Sequence, residues 1–170
     1  SEDKIFVVGN TVVDALIETK KIIQNKKYEK LSKINLSRKF FLITCHRREN
    51  LGSGIKSICQ AIKQIASEFK NLNFIFPVHL NPVVQKTVYD ILSDSENIYL
   101  IHPLSYEEFV FLLDKCFAIL TDSGGVQEEA PTFNKPVLIL RNETERIEII
   151  ENGYGLLVGT NKQKIIEQTR

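Results

Sequence analysis

No stretch of the 170-residue chain contains the roughly 20 consecutive apolar residues that a membrane-spanning helix requires. Neither sign of charge dominates: 22 basic residues stand against 21 acidic ones, a formal net charge of +1. That balance gives no long-range field to gather nucleic acid or an anionic membrane, so any anion-binding site must be local. Cysteine is scarce. Cys45, Cys59 and Cys116 lie far apart with no Cys-x-x-Cys pair, which leaves no pattern for a disulfide framework or a zinc site and suits a reducing, cytoplasmic setting. The opening SEDKIFVVGN lacks the basic start and long apolar middle of a signal peptide. Internal repeats and low-complexity segments are absent as well. These absences describe a soluble chain without membrane or nucleic-acid partners, long enough for one domain with a sizeable core and little more.

What is present is an alternation. IFVVGNTVVDAL begins with a short apolar run followed at once by a helix start, as if the chain were entered from an earlier domain. Thr11 and Asp14 have capping-box spacing, and Val12, Val13, Leu16, Ile17 and Ile23 form one helical stripe. After a polar connector around NKKYEKLSKINLSRK, short β-rich runs alternate with amphipathic stretches. The runs are Phe40 to Thr44, Asn73 to Val78, Asn97 to Ile101, Phe117 to Thr121, Pro136 to Leu140 and Gly155 to Gly159. Between them, Ile55, Ile58, Cys59, Ile62, Ile65 and Phe69 mark the inner face of a helix; further helices are expected over Pro82 to Leu92, Tyr106 to Leu113 and Gly125 to Ala130. Strands that are continuously apolar are buried on both faces. The pattern therefore predicts an α/β domain with a mostly parallel sheet and helices on both faces.

In such sheets ligands settle beyond the carboxyl ends of the strands. Those exits carry CHRRENLGSG, HLNP, HPLSYEEF, DSGGVQEE and RNETER. In DSGGVQEE, Ser123 can cap a helix while Gly124 and Gly125 leave its first N–H groups open to phosphate oxygens, and Glu129 can accept hydrogen bonds from a ribose diol. The same residues also fit a tight turn with a solvated glutamate pair. His46 with Arg47 and Arg48 can grip a diphosphate through charge-assisted bonds, His46 also donating to a leaving phosphate oxygen; the bland alternative pairs both arginines with Glu49 on a surface loop. His79 in HLNP reads equally as a structural histidine. Phe109 reads as core or as a base-stacking ring, Arg146 as a surface charge or a phosphate contact, and Cys59 as core.

Assembled in order, GNTVVDAL, HRREN, PVHLNP, LTDSGGVQEEAP, KPVL and TER make the chain resemble the C-terminal half of the non-hydrolysing UDP-N-acetylglucosamine 2-epimerases. The resemblance runs nearly the whole chain. It implies residues 1–170 as a Rossmann-like, UDP-binding C-terminal domain, one half of a two-domain GT-B-type enzyme whose N-terminal domain, with the catalytic carboxylates, is absent. By it, Ser123, Gly124 and Gly125 meet the phosphates, Glu129 the ribose hydroxyls, Phe109 and the Leu104 backbone the uracil, and Arg146 the anionic part of the nucleotide. His46 becomes the catalytic contact near the reacting sugar. Arg47 and His79 match residues that touch a second, activating UDP-N-acetylglucosamine in regulated members.

The reaction so implied inverts C2 of the sugar by anti elimination of UDP and its re-addition, without metal or redox cofactor. The ligands implied are UDP and UDP-N-acetylhexosamines, and the full-length partner is a second copy, joined through the other domain. Two positions depart from the family: Cys45 stands where glycine is usual, and Ile147 where proline is usual. A UDP-sugar glycosyltransferase domain of the same architecture and a non-catalytic nucleotide-sugar sensor are the alternatives. HRREN and PVHLNP weigh against the first, because the architecture alone does not require them.

Overall fold

The computed structural model describes residues 2–6, 8–24 and 26–170. Its centre is a parallel sheet of six strands: β1 (Phe40–Thr44), β2 (Asn73–Pro77), β3 (Ile98–Ile101), β4 (Ala118–Thr121), β5 (Val137–Ile139) and β6 (Gly155–Leu157). Their order across the sheet is β3-β2-β1-β4-β5-β6, with Leu42 of β1 opposite Ile75 of β2 and Ile119 of β4. This is the doubly wound Rossmann arrangement that the alternating pattern and the resemblance lead one to expect.

Period-two alternation along the strands sends apolar side chains to both faces. Phe41 and Ile43 of β1 pack into a layer formed by α2 (Ser53–Glu68), α3 (Pro82–Leu92) and α7 (Lys162–Thr169). Phe40 and Leu42 face the opposite layer, built from α1 (Thr11–Ile23), α4 (Tyr106–Lys115), α5 (Gly124–Glu129) and the short α6 (Ile147–Glu151). Helix α2 buries Ile55, Ile58, Cys59, Ile62 and Ile65 on one stripe, as its spacing predicts. Phe69, just beyond it, is half-buried against the same layer.

Two local expectations need correction. Thr11 is the first helical residue of α1 and not its cap; Asn10 occupies the N-cap and its side chain accepts from the Val12 N–H at 3.1 Å. An Asn side chain reaches the second helical amide well, and the Thr11/Asp14 spacing only mimics the pattern one residue late. The apolar stripe of α1 is also narrower than expected, for Leu16 and Ile23 are buried while Ile17 is exposed. A capping box does form at α4, where Ser105 accepts from the Glu108 N–H and the Glu108 carboxylate accepts from the Ser105 N–H.

The ladders stop short of several apolar runs. Val78, Leu140 and Val158 lie one residue past their strands, yet each stays buried and donates its N–H to the neighbouring strand, at 2.8, 2.8 and 3.0 Å. They are the hinges through which the chain leaves the sheet for the polar exits. Of the expected connector and opening run, Asn25 and Val7 lie outside the described residues; within the connector, Glu29–Leu31 forms one 3-10 turn.

Candidate functional site

The sequence of strands runs outward in one direction from β1 to β3 and in the other from β4 to β6, so the strand order reverses between β1 and β4. A crevice opens at such a switch point because the crossovers on its two sides diverge. The exits of β1 and β4 meet there on one buried carboxylate. Asp122, the first residue after β4, is fully buried, and it accepts from the backbone N–H of His46 (3.0 and 3.1 Å), the N–H of Arg47 (2.9 Å), Asn50 Nδ2 (2.9 Å) and Cys45 Sγ (3.3 Å). Asn50 also donates to the Leu140 carbonyl at 3.1 Å, which brings the exit of β5 into the same knot. Thr44 and Thr121 join their hydroxyls across β1 and β4, and Thr121 Oγ1 accepts from the Ser123 N–H at 2.9 Å.

Around this knot lies a cavity of about 310 Å³ whose wall includes His46, His79, Leu104, Phe109, Ser123 and Glu129. Six residues predicted from the sequence are thus brought to one hollow. His46 and His79 stack with ring centroids 5.5 Å apart and planes 16° from parallel. His79 Nδ1 accepts from the Asn81 N–H at 3.1 Å, which leaves Nε2 to carry the proton of the neutral ring. His46 Nδ1 lies 3.5 Å from Asp122 Oδ1. Phe109 is half-buried, packed against the α1/α4/α5 layer, and it also lines the cavity.

Glu129 is the unusual wall residue. It is only 8% exposed and has no hydrogen-bond partner among the described residues. Burial, with the charge of Glu128 next to it, pushes its carboxyl above the ordinary carboxylate range. A largely buried carboxyl side chain whose unpaired oxygens open on the cavity suits a ligand that brings hydroxyl donors.

Beside the Ser123 wall, two guanidinium groups converge on Gly124. A Cβ on Gly124 would lie 3.2 Å from Arg146 Cζ and 3.3 Å from Arg47 Nη2, so glycine is what permits their approach. A Cβ on Gly125 would meet nothing closer than Ser123 Oγ at 3.9 Å. Ser123 does occupy the N-cap position of α5, but its side chain makes no capping bond; its hydroxyl is left to the cavity wall. The loop carrying Arg146 is fastened to α5 by Thr144, whose hydroxyl donates to Gln127 Oε1 at 2.6 Å and accepts from the Arg146 N–H at 3.2 Å.

Nor does Glu49 pair with Arg47 or Arg48, the bland alternative for HRRE. It accepts from Arg141 Nε at 2.8 Å, and Arg141, only 5% exposed, also donates to Glu145 at 3.0 Å. Hydrogen bonds from Arg141 hold the Glu145 carboxyl down to about 2. Arg47 is therefore left to face Gly124.

The two family departures are easily accommodated. Among the described non-glycine residues only Asn134 has a left-handed backbone, so position 45 does not require glycine; the Cys45 side chain turns inward, where burial pushes its thiol well up. Ile147 is the first residue of α6, a position where the proline usual there loses no helical hydrogen bond and isoleucine gains none. The three cysteines are buried and free. Among the described residues, no group of three or more His, Cys, Asp or Glu is placed to hold a metal ion, and no helix is long and apolar enough to cross a membrane.

Asp122, Asn50, Arg141 and Gln127 escaped the sequence reading. A signal existed for Asp122: an acid directly after the apolar run FAILT, at a strand exit, must find donors. Removing it in Asp122→Ala strands two loop amides and the Asn50 amide, and should lower unfolding stability by about 2–4 kcal/mol in urea denaturation. Glu129 gives a test of opposite sign. A carboxyl raised in the folded state binds more protons folded than unfolded, so stability falls as pH rises from the ordinary carboxylate range through the raised value. Glu129→Gln should therefore raise the urea midpoint near neutral pH and leave it unchanged at about pH 3, below the ordinary range.

The family described as UDP-N-acetylglucosamine 2-epimerase matches the chain over residues 1–170. A UDP-N-acetylglucosamine 2-epimerase of Campylobacter jejuni is 48% identical over 179 residues, an alignment that takes in 100% of this chain and 47% of that protein. Among solved structures, the UDP-GlcNAc 2-epimerase of Neisseria meningitidis bound to UDP-GlcNAc has 44% identity and a TM-score of 0.92, over 99% of this chain and 47% of that one. The Methanocaldococcus jannaschii enzyme in complex with UDP-GlcNAc and UDP has 38% identity and a TM-score of 0.85, over 99% and 48%. The chain spans about half the length of the curated relatives it matches. With its full length covered by the family and its sheet superposing on such structures, the chain belongs to the UDP-N-acetylglucosamine 2-epimerase family.

Proposed function

We propose that this chain is the nucleotide-binding, C-terminal half of a non-hydrolysing UDP-N-acetylglucosamine 2-epimerase, and that the cavity at the switch point receives UDP and its N-acetylhexosamine conjugate. The observation that carries the reading is the pairing of an open, buried carboxylate with a cationic rim. Glu129 offers an unpartnered acceptor on the cavity wall, and Arg47 and Arg146 converge on Gly124, the residue after the wall residue Ser123. A nucleoside diphosphate presents the complementary groups, a ribose diol at one end and an anion at the other. Phe109 and Leu104 supply an apolar wall for the base. Ser123 and the Gly124 and Gly125 amides face the phosphates, and His46 lies where a donor can meet the β-phosphate as it departs. On the same reading, His79, which stacks on His46, and Arg47 would be the residues that meet a second, activating nucleotide sugar.

Epimerisation at C2 needs a base to take the C2 proton and donors to stabilise the charge that builds on the β-phosphate as the C1–O bond breaks. UDP then re-adds to the unsaturated acetamido-sugar, and C2 regains a proton on the opposite face. On this reading the chain supplies the second requirement through His46, Arg146 and the amides of Gly124 and Gly125. It does not supply the first: among the described residues Glu129 is the one carboxylate on the cavity wall, and its place is with the ribose. On this reading the base comes from the portion of the relatives that these 170 residues do not cover. The buried free thiols suit the reducing cytoplasm in which such a reaction would run.

Calorimetry should detect UDP binding to the chain, and Glu129→Ala should weaken it by about 1–3 kcal/mol, as for a buried hydroxyl that loses its acceptor. Undiminished affinity would discard the ribose assignment. Incubation with UDP-N-acetylglucosamine in deuterated water should leave C2 unlabelled. Label at C2 would place a competent base within this chain.

A further inference from the structure

Glu128 and Glu129 are adjacent on α5 but point into different surroundings. Glu129 borders the cavity, whereas Glu128 turns to the other side of the helix. One oxygen of Glu128 accepts from Arg146 Nε at 2.8 Å and the other from Asn10 Nδ2 at 3.0 Å. These two bonds, Arg146 first, hold the Glu128 carboxyl below its ordinary value, so it is ionised where its neighbour is discouraged from ionising. Asn10 is doubly engaged, for its Oδ1 caps α1 while its Nδ2 holds Glu128. An unbroken line of bonds thus runs from the first turn of α1, through α5, to the guanidinium that overlies Gly124.

Arg146 has a second carboxylate, Glu145, on Nη1 at 3.1 Å. That carboxylate is shared with the buried Arg141, which dominates it. Glu128 is the principal restraint on Arg146, and it binds at Nε, leaving Nη2 without a partner among the described residues. A restrained guanidinium with a free edge loses less conformational freedom on meeting a phosphate than a loose one does.

We propose that Glu128 is a positioning residue that fixes Arg146 over the Gly124 amide, and that Asn10 fixes Glu128, so that the placement of the chain entering α1 is transmitted to the diphosphate site. The inference rests on the reading of that site as a UDP pocket. It makes the first turn of α1 part of the nucleotide-binding apparatus, although no residue of α1 lines the cavity.

The test compares UDP with uridine, which lacks phosphate, by NMR titration of the unaltered chain and of Glu128→Ala, Glu128→Gln and Asn10→Asp. Because Glu128 and Arg146 are about one-third exposed, Glu128→Ala should weaken UDP about three- to tenfold and leave uridine unchanged. Glu128→Gln keeps an oxygen for the Nε–H and should recover part of the loss. Asn10→Asp keeps the helix cap but replaces the donor to Glu128 by a like charge, and should weaken UDP alone. If UDP affinity is undiminished in Glu128→Ala and Asn10→Asp, or if uridine weakens as much as UDP, the positioning role is overturned while the UDP pocket stands. If the unaltered chain binds neither ligand, the UDP pocket is overturned and this inference with it.

Discussion

A carboxylate buried without a cation is tolerated only where N–H donors surround it, and Asp122 is such a group. Its donors come mainly from the loop after β1, while Asp122 itself follows β4. The two strands that flank the reversal of strand order are therefore joined at their exits as well as along their ladder. Any other course of the HRREN loop would strand its amides and leave the Asp122 charge unsatisfied. The positions of His46 and Arg47 follow from this requirement and not from their own contacts. Cys45 fits because its side chain turns toward the same carboxylate.

From that knot the cationic rim is built outward by pairing each charge to a different depth. Arg141, nearly buried, takes Glu49 and most of Glu145. Arg146, one-third exposed, takes Glu128 and a share of Glu145. Among the described residues Arg47 takes no carboxylate, and its guanidinium ends beside Gly124. A graded set of partners holds three arginines near one another without mutual repulsion scattering them, and the least neutralised positive charge is concentrated where α5 begins. A protein with net charge near zero can carry an anion site in this way, because the field that matters is local.

The fold was legible because its signals are periodic. Uninterrupted apolar runs at strand positions and the Ile55, Ile58, Ile62, Ile65 stripe leave little choice but a parallel sheet between helical layers. The apolar runs extend one or two residues past the strands because Val78, Leu140 and Val158 remain apolar and hydrogen-bonded after the ladder ends. The gathering of His46, His79, Leu104, Phe109, Ser123 and Glu129 around one hollow was legible through chain order, since strand exits of a doubly wound sheet open on one side. The supports were not. Asp122 and Asn50 act through bonds between residues more than 70 positions apart, and no periodicity marks such partners. Ser123 sits at the N-cap without a capping bond for a related reason: its N–H goes to Thr121 and its hydroxyl stays free, a choice made by tertiary surroundings and invisible in the capping preference of serine.

The pair Glu128 and Glu129 shows how one residue type is given two tasks by the helix that carries it. Consecutive helical positions are turned by about 100° from each other, so two adjacent glutamates on α5 cannot share an environment. One meets a guanidinium and an amide and is stabilised as an anion; the other meets an apolar hollow and its neighbour's charge and is opposed as one. With its carboxyl raised, the second glutamate lowers folded stability as it ionises toward neutral pH. On the proposed reading, the hydroxyls of a ribose remove that instability when they bind, so part of the affinity comes from relieving a strain already present in the folded chain. Had the two carboxylates been exchanged, with the cavity acid paired to an arginine, the same hydroxyls would have had to compete with a charged donor for it. On the proposed reading, the unpaired state of Glu129 is thus what makes a neutral diol a worthwhile partner, while Glu128 is already committed to Arg146 and Asn10.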